Sequence, residues 1–252
     1  MNTTTDPIHQ FEIQNLFRLF DIGGREIHLT NSAIFMMVAV GLTALLFLGA
    51  TAGRHLVPTR LQSVAEVIYG LVADTLRNTT GEEGMRFFPF VLSIFMFVFF
   101  SNVVGIIPFT FTVTSHIVIT AALALLVFFT VIIYGFWKNG LHFLNLFMPS
   151  GIPVWMAPVI VVIELLSFLA RPISHSVRLF ANMLAGHITL KLVGGFVVML
   201  GSIGLAGWVG ALAPLALTVA LTALELLVAV LQAYVFTILT CIYLNDALHP
   251  GH

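Results

Sequence analysis

Apolar residues fill five long stretches of this chain, and most charged residues lie in the shorter segments between them. Three of these stretches, residues 32–53, 87–107 and 117–137, are of ordinary membrane-helix length. An α-helix rises about 1.5 Å per residue, so roughly 20 apolar residues cross a hydrocarbon core of about 30 Å. The pattern therefore predicts one membrane helix for each of these three stretches.

The last two apolar stretches are longer than a perpendicular crossing needs. They cover roughly residues 159–193 and 205–244. A helix of such length must tilt strongly or break inside the membrane. Glycines at positions 194, 195, 201, 204 and 207 mark the turn between the two stretches, so we predict a long, strongly tilted helical hairpin.

Residues 58–79 follow a different pattern, in which charged positions are mixed with apolar ones. Leu61, Val64 and Leu71 recur at helical spacing between the charged residues. A helix with one apolar face and one charged face lies on the membrane surface. We therefore predict a surface helix here.

The segment before the first membrane helix, residues 1–31, carries acidic and basic residues around short apolar pieces. No basic region leads directly into an apolar core, so the segment does not resemble a cleavable signal. We expect a water-side tail that touches the membrane interface through Phe17, Leu19 and Phe20.

The composition agrees with a protein that is dissolved in lipid. Of 252 residues, 59% are hydrophobic and only 8% are charged, and the mean hydropathy is +1.06. We predict an all-α integral membrane protein with a single transmembrane domain over residues 32–252, built from five membrane helices and the surface helix.

The net charge of -1 and the scattered Lys and Arg exclude a nucleic-acid partner. No phosphate loop, metal cluster or nucleophile triad indicates a cofactor, a metal or catalysis by this chain alone.

Basic residues predict the orientation. The basic flanks of the first three spans all fall on one side of the membrane: Arg54, Arg60, Arg77, Arg86 and Lys138. The connector 108–116 and the glycine-rich turn carry no Lys or Arg. The positive-inside rule assigns the basic side to the inner face, so we expect the N-terminus outside and the C-terminus inside.

Ionisable residues within the last two apolar stretches are the strongest functional signal. Each costs roughly 2.5 to 3.5 kcal/mol at mid-bilayer, so it needs a partner or a hydrated cavity. Helical spacing aligns them in one narrow stripe on each predicted helix. The first stripe holds Glu164, Arg171, Arg178 and Asn182, and the second holds Glu225, Gln232 and Tyr243.

Depth divides these polar residues into two groups. In the predicted orientation Glu164 lies near the inner surface, Arg178 near the middle, and His187 toward the outer side at the depth of Glu225. An inner polar pocket and an outer polar pocket with an arginine between them favour two proton half-channels over one continuous pore.

Three groups of residues carry a family resemblance. One is the run Ser176-Val177-Arg178-Leu179-Phe180-Ala181-Asn182-Met183-Leu184-Ala185-Gly186-His187. The others are Glu225 with Leu231-Gln232-Ala233-Tyr234-Val235-Phe236, and the loop residues Asn102, Gly105, Pro108, Thr114, Ser115 and His116. With these motifs the chain resembles subunit a of F-type ATP synthases over nearly its whole length from the first span. An acid at 225 with His187 looks like the alpha-proteobacterial and mitochondrial pattern, and many other bacteria have the two residue types interchanged.

The resemblance implies a proton-translocating stator subunit in the inner membrane of a bacterium, or less readily of a mitochondrion. It implies that the chain packs against a ring of c subunits, joins peripheral-stalk b subunits, and couples proton flow to ring rotation and ATP synthesis. Arg178 would face the ring carboxylates as a charge barrier. The outer path would hold Glu225, His187, Asn182, Gln232 and Tyr243, and the inner path Glu164 and Ser167.

Other readings of the same residues stay open. A secondary transporter also buries Arg, Glu and His, although such folds usually show inverted repeats. A structural assembly subunit would leave the two polar stripes without a purpose. Among single residues, Arg171 fits a structural ion pair, and Glu164 is a candidate to pair with it. His116 fits either a helix cap or the proton path, and we expect the Phe-rich run 95–100 to face lipid.

Overall fold

The computed structural model describes residues 13–22, 25–52, 58–107, 110–148 and 156–250. Six α-helices occur in these residues: α1 Asn31–Ala52, α2 Arg60–Thr80, α3 Phe88–Ile106, α4 Ile117–Asn139, α5 Ala157–Gly201 and α6 Leu205–Leu248. Short 3-10 helices, Glu82–Phe87, Val113–Ser115 and Gly140–Phe147, adjoin α3 and α4. All of these α-helices except α2 are long and apolar enough to cross a membrane. The prediction of an all-α integral membrane protein with five membrane helices is confirmed.

A β-hairpin precedes α1, which the sequence pattern did not predict. Strands β1, Asn15–Ile22, and β2, Arg25–Thr30, pair antiparallel. The Gln14 backbone N–H donates to the Asn31 side chain at 3.2 Å, and the Asn31 N–H donates to the Gln14 carbonyl at 3.1 Å. The hairpin is thus tied to the first turn of α1. The interfacial contacts predicted for Phe17, Leu19 and Phe20 lie outside the described side chains, as do residues 1–12.

Helix α2 has the two-faced character that its sequence pattern predicts. Thr59 caps its N-terminus by accepting from the Gln62 N–H at 3.3 Å, and Gly81 with φ 70° follows its last turn. The buried face consists of Ala65, Val72, Ala73, Thr75, Leu76 and Thr80. Apolar side chains on the exposed face are Leu61, Val64, Val67 and Leu71.

Helix α5 continues past its predicted end. It runs through the Gly194 and Gly195 pair to Gly201, and the chain turns at Gly204, whose φ is 100°. A left-handed backbone of this kind favours glycine. Gly194 and Gly195 have ordinary helical backbone and therefore do not end the helix. The expectation that they mark the turn is wrong.

The described residues group into two compact units. Unit 1 takes its described residues from Met1–Leu42, Phe97–His116 and Leu179–Gln232, and unit 2 from Thr43–Met96, Ile117–Arg178 and Ala233–His252. The buried core of unit 1 includes Val98, Leu179, Met183 and Ala229. The buried core of unit 2 includes Val72, Leu76, Val91, Val127, Phe143 and Leu244.

The Phe-rich run 95–100 does not face lipid throughout. Phe95 is 2% exposed, and Met96 and Val98 are fully buried, so one face of this run belongs to the protein core. Hydrophobic periodicity cannot distinguish side chains that face lipid from side chains that face the protein core here, because every residue in the run is apolar. Arg54 and Pro108, which helped to predict orientation and span ends, lie outside the described residues.

Candidate functional site

A histidine and a glutamate meet in unit 1, between α5 and α6. The His187 Nδ1 atom lies 3.3 Å from the Glu225 Oε1 atom, and the two side chains are 7% and 5% exposed. This is within ion-pair range, but neither Glu225 oxygen accepts a well-aligned hydrogen bond from the described part of the chain. The sequence pattern predicts that His187 and Glu225 lie at the same membrane depth, and their contact agrees with this prediction.

Thr112 extends the contact to a third side chain. Its Oγ1 atom lies 2.9 Å from the His187 Nε2 atom and 3.3 Å from the Gly105 carbonyl oxygen. A neutral imidazole carries one N–H, so its two nitrogens take opposite roles. Either the Nδ1 N–H points at Glu225 and Nε2 accepts from the hydroxyl, or the Nε2 N–H donates to the hydroxyl, which donates onward to Gly105. The hydrogen bond between Thr112 and His187 can therefore run in either direction, and the two arrangements differ in which imidazole nitrogen carries the proton and in the orientation of the hydroxyl.

A buried amide holds the loop that carries Thr112. Asn102 is fully buried; its Nδ2 donates to the Ala229 carbonyl at 3.3 Å, and its Oδ1 accepts from the Thr114 hydroxyl at 2.8 Å. A Cβ atom at Gly105 would lie 2.7 Å from the Thr112 Cγ2 atom. The loop packs closely on α3 because position 105 has no side chain.

Glu225 packs against a glycine on α5. A Cβ atom at Gly186 would lie 2.9 Å from Glu225 Oε1 and 3.3 Å from its Cδ. The missing side chain leaves the room in which the carboxyl group sits. A carboxyl group buried in this way needs a proton, water or another polar partner, since an unsatisfied buried polar group is costly.

Arg178 differs from the other basic residues of α5 and α6. It is exposed on the surface of the chain and forms neither an ion pair nor a hydrogen bond within the described residues. Asn182, one turn further along α5, is exposed as well, and Gln232 on α6 is half-buried. No described contact joins either amide to the cluster of Thr112, His187 and Glu225.

A second polar cluster lies within unit 2. Arg171 pairs with Asp246 through its Nη1 atom, and its guanidinium carbon lies 5.3 Å from the Phe168 ring centroid and 5.2 Å from that of Tyr243. The ion pair predicted for Arg171 is present, but its partner is Asp246 rather than Glu164. Tyr243 lies beside Arg171, and its part in the outer path stays a prediction.

The remaining predicted residues have fewer contacts. Glu164 is half-buried and Ser167 is exposed on α5, and neither side chain forms a hydrogen bond or an ion pair with another predicted site residue within the described part of the chain. His116 stacks on Phe111 with 4.9 Å between ring centroids. Partial burial holds the pKa of His116 below its usual value, so this imidazole favours the neutral form.

Sequence reasoning missed Thr112 and Asp246. Thr112 lies in the connector 110–116 and carries no charge, so neither hydropathy nor spacing singles it out. Asp246 lies in the last turn of α6, just beyond the predicted apolar stretch. The sequence could have suggested Asp246 only through its predicted membrane depth, which is close to that of Arg171. Within the described residues, no three His, Cys, Asp or Glu side chains come together to hold a metal ion.

Within the described residues, five helices are apolar enough to cross a membrane, and a buried histidine, a buried glutamate and an exposed arginine lie on the last two, as expected of an ion-translocating membrane protein. The sequence model for the ATP synthase A chain matches residues 33–245. ATP synthase subunit a of Nitrobacter winogradskyi is 68% identical over 98% of this chain and 99% of that protein. The corresponding proteins of Nitrobacter hamburgensis and Bradyrhizobium diazoefficiens are 66% and 62% identical, again over 98% of this chain and 99% of theirs.

The chain belongs to the ATP synthase subunit a family, the proton-translocating stator of the membrane sector. The relatives are alpha-proteobacterial, as the pairing of Glu225 with His187 predicts. It is a multi-pass inner-membrane protein that works within the ATP synthase complex.

Proposed function

We propose that this chain provides two offset proton half-channels, which load and unload the carboxylates of a rotating c-subunit ring. Protons enter from the outer side, neutralise one ring carboxylate, and leave on the inner side after nearly a full turn of the ring. Arg178 separates the two half-channels. The torque then drives ATP synthesis in the soluble head of the complex.

The unpaired, exposed Arg178 is the observation that carries this proposal. An arginine in a membrane helix costs several kcal/mol unless its charge is compensated, and the described residues of this chain supply no compensating group. A carboxylate on a neighbouring subunit would supply it. Arginine suits the role because it stays protonated in a low-dielectric site, where a lysine would lose its proton more readily.

The outer half-channel delivers protons through His187 and Glu225. The two arrangements of Thr112, His187 and Glu225 allow a proton to be taken up at one imidazole nitrogen and released at the other. Asn182 and Gln232 would continue this path toward the ring, because Asn182 shares an exposed face of α5 with Arg178.

The inner half-channel contains Glu164 and Ser167. Both precede Arg178 on α5, whereas His187 follows it, so the two paths approach the arginine from opposite directions along one helix. The N-terminus lies on the outer side and the C-terminus on the inner side. The remaining partners are the peripheral-stalk b subunits and membrane lipid.

The test compares ATP synthesis by vesicles that hold the whole complex with wild-type chain, Arg178→Ala or Arg178→Lys. We expect Arg178→Ala to lower the rate by at least about a hundredfold, as loss of a preorganised charge does in enzymes, and Arg178→Lys to restore only part. Arg77→Ala is the matched control, because Arg77 is exposed on α2 and pairs with Glu82 at 2.8 Å. A normal rate for Arg178→Ala refutes the proposal.

A further inference from the structure

His175 is a buried titratable side chain that the proposed paths do not use. It lies on α5 in unit 2 and is 3% exposed. Its Nε2 atom is enclosed and makes no hydrogen bond with the described part of the chain. An enclosed polar atom without a partner costs about 1–3 kcal/mol, so a purely structural histidine would normally be bonded.

The neighbours of His175 are charged or aromatic. Along α5 it follows Arg171 by one turn and precedes Arg178 by one turn, so the three side chains share one face of the helix. From α6, Phe236 meets the imidazole edge to face with 3.7 Å between centroids, and the Tyr243 centroid is 5.8 Å away. Asp246 is paired with Arg171 in the same cluster.

We propose that His175 relays protons between the ring carboxylates and the inner aqueous side, with one imidazole nitrogen accepting a proton and the other releasing one. This inference rests on the proposed function and adds a residue to its inner half-channel. Its position fits, since it lies between Arg178 and the Arg171–Asp246 pair along α5. Glu164 and Ser167 lie further from Arg178 on the same helix.

The imidazole of His175 is neutral before and after each proton transfer. A ring carboxylic acid gives its proton through a water molecule to one imidazole nitrogen, and the other nitrogen releases its proton to inner water. The carboxylic acid becomes a carboxylate beside Arg178, and the imidazole ends as its other neutral tautomer. Rotation of the imidazole ring restores the first arrangement before the next proton arrives.

The alternative is that His175 only fills space against Phe236. Three variants separate the two roles: His175→Gln keeps a side chain that binds water, His175→Phe keeps a ring that packs on Phe236, and His175→Leu keeps neither. The control is His142→Leu, because His142 is exposed in the 3-10 helix Gly140–Phe147.

Passive proton conductance is measured in vesicles that hold the whole membrane sector after removal of the soluble head, with assembly checked on native gels. We expect His175→Phe and His175→Leu to lower conductance by about tenfold or more, in the range of lost proton-transfer groups. His175→Gln should lower it as well, because an amide side chain binds water without exchanging a proton, and His142→Leu should match wild type. If His175→Leu fails to assemble, His175→Phe decides, because it keeps the ring that packs on Phe236.

Wild-type conductance in His175→Phe or in His175→Gln overturns the inference. Arg178→Ala is assayed for ATP synthesis in parallel. If that variant still makes ATP, the two-half-channel proposal itself fails. If Arg178→Ala is inactive while His175→Phe conducts normally, only the role of His175 fails.

Discussion

His187 contacts a hydroxyl with one nitrogen and a carboxyl group with the other. Thr112 lies 2.9 Å from Nε2, and Glu225 lies 3.3 Å from Nδ1. The hydroxyl can donate to Nε2 or accept from it, so it stabilises either tautomer of the imidazole. In the proposed outer path, proton delivery to Glu225 therefore depends on a side chain that does not itself titrate.

Replacing Thr112 with valine tests this dependence. The lost hydrogen bond contributes about 0.5–1.5 kcal/mol, so we expect passive proton conductance to fall by roughly twofold to tenfold with normal assembly. Thr130→Val is the control, since the Thr130 hydroxyl donates only to the Leu126 carbonyl of its own helix at 2.7 Å. If Thr112→Val conducts like wild type while His187→Ala does not, the hydroxyl has no part in proton delivery.

The sequence singles out His187, Glu225 and Arg178 and misses Thr112. His187, Glu225 and Arg178 are conspicuous because ionisable residues are rare in apolar helices. Thr112 becomes visible only when the connector folds against His187. The place of Tyr243 in the outer path stays a prediction, because its alignment with Glu225 on one helical stripe says nothing about the distance between them along α6.

Helices α5 and α6 approach closely where Gly186 faces Glu225. The space that glycine leaves is filled by the carboxyl group, so the spacing of the two helices and the position of the proton-binding group are set together. Elsewhere α5 has glycines with open surroundings, among them Gly195, where an added Cβ meets nothing within 4 Å.

Gly186→Ala and Gly195→Ala form a matched pair. Alanine stabilises a helix interior by about 1 kcal/mol relative to glycine at either site, so helix stability alone predicts no loss. We expect Gly186→Ala to reduce proton conductance because its Cβ displaces the Glu225 carboxyl group, and Gly195→Ala to conduct normally. Combining Gly186→Ala with Glu225→Asp should recover part of the loss, because the shorter acid relieves the crowding. Equal conductance in the two alanine variants would contradict this role of Gly186.

Hydropathy predicts the number and kind of helices well and their ends less well. The five apolar runs correspond to helices because lipid requires every backbone group to bond within the segment. The sequence pattern predicts too early an end for α5 because it takes glycine as a helix breaker, whereas Gly204 alone among the five glycines from 194 to 207 has a left-handed backbone. The hairpin of β1 and β2 was missed because its strands are short and carry mixed charges.

At the scale of the whole molecule, the basic residues predict an outer N-terminus and an inner C-terminus. Single-cysteine variants test this orientation after Cys241, which is fully buried, is replaced by serine. In right-side-out vesicles, a membrane-impermeant maleimide should label Gln14→Cys and leave His249→Cys unlabelled, because only the first faces outward. Inverted vesicles should give the reverse. Labelling of both positions from the same side would refute the orientation.

The two proposed proton paths lie on opposite sides of Arg178, since Arg178 comes between Ser167 and His187 along α5. A stator subunit needs its ring, whereas a carrier works alone. Loss of ATP synthesis in an Arg178 variant would not by itself distinguish a missing charge barrier from a blocked proton path. A charge barrier between two half-channels makes a narrower prediction about protons that cross without turning the ring.

Passive proton conductance of Arg178→Ala is therefore the decisive measurement. Vesicles that hold the whole complex are assayed for ATP synthesis, stripped of the soluble head, and compared with wild type for proton leak. Two separated half-channels predict that synthesis stops while the leak persists or rises, because removal of the positive charge lets protons pass directly between the paths. ATP synthesis near the wild-type rate would contradict the account.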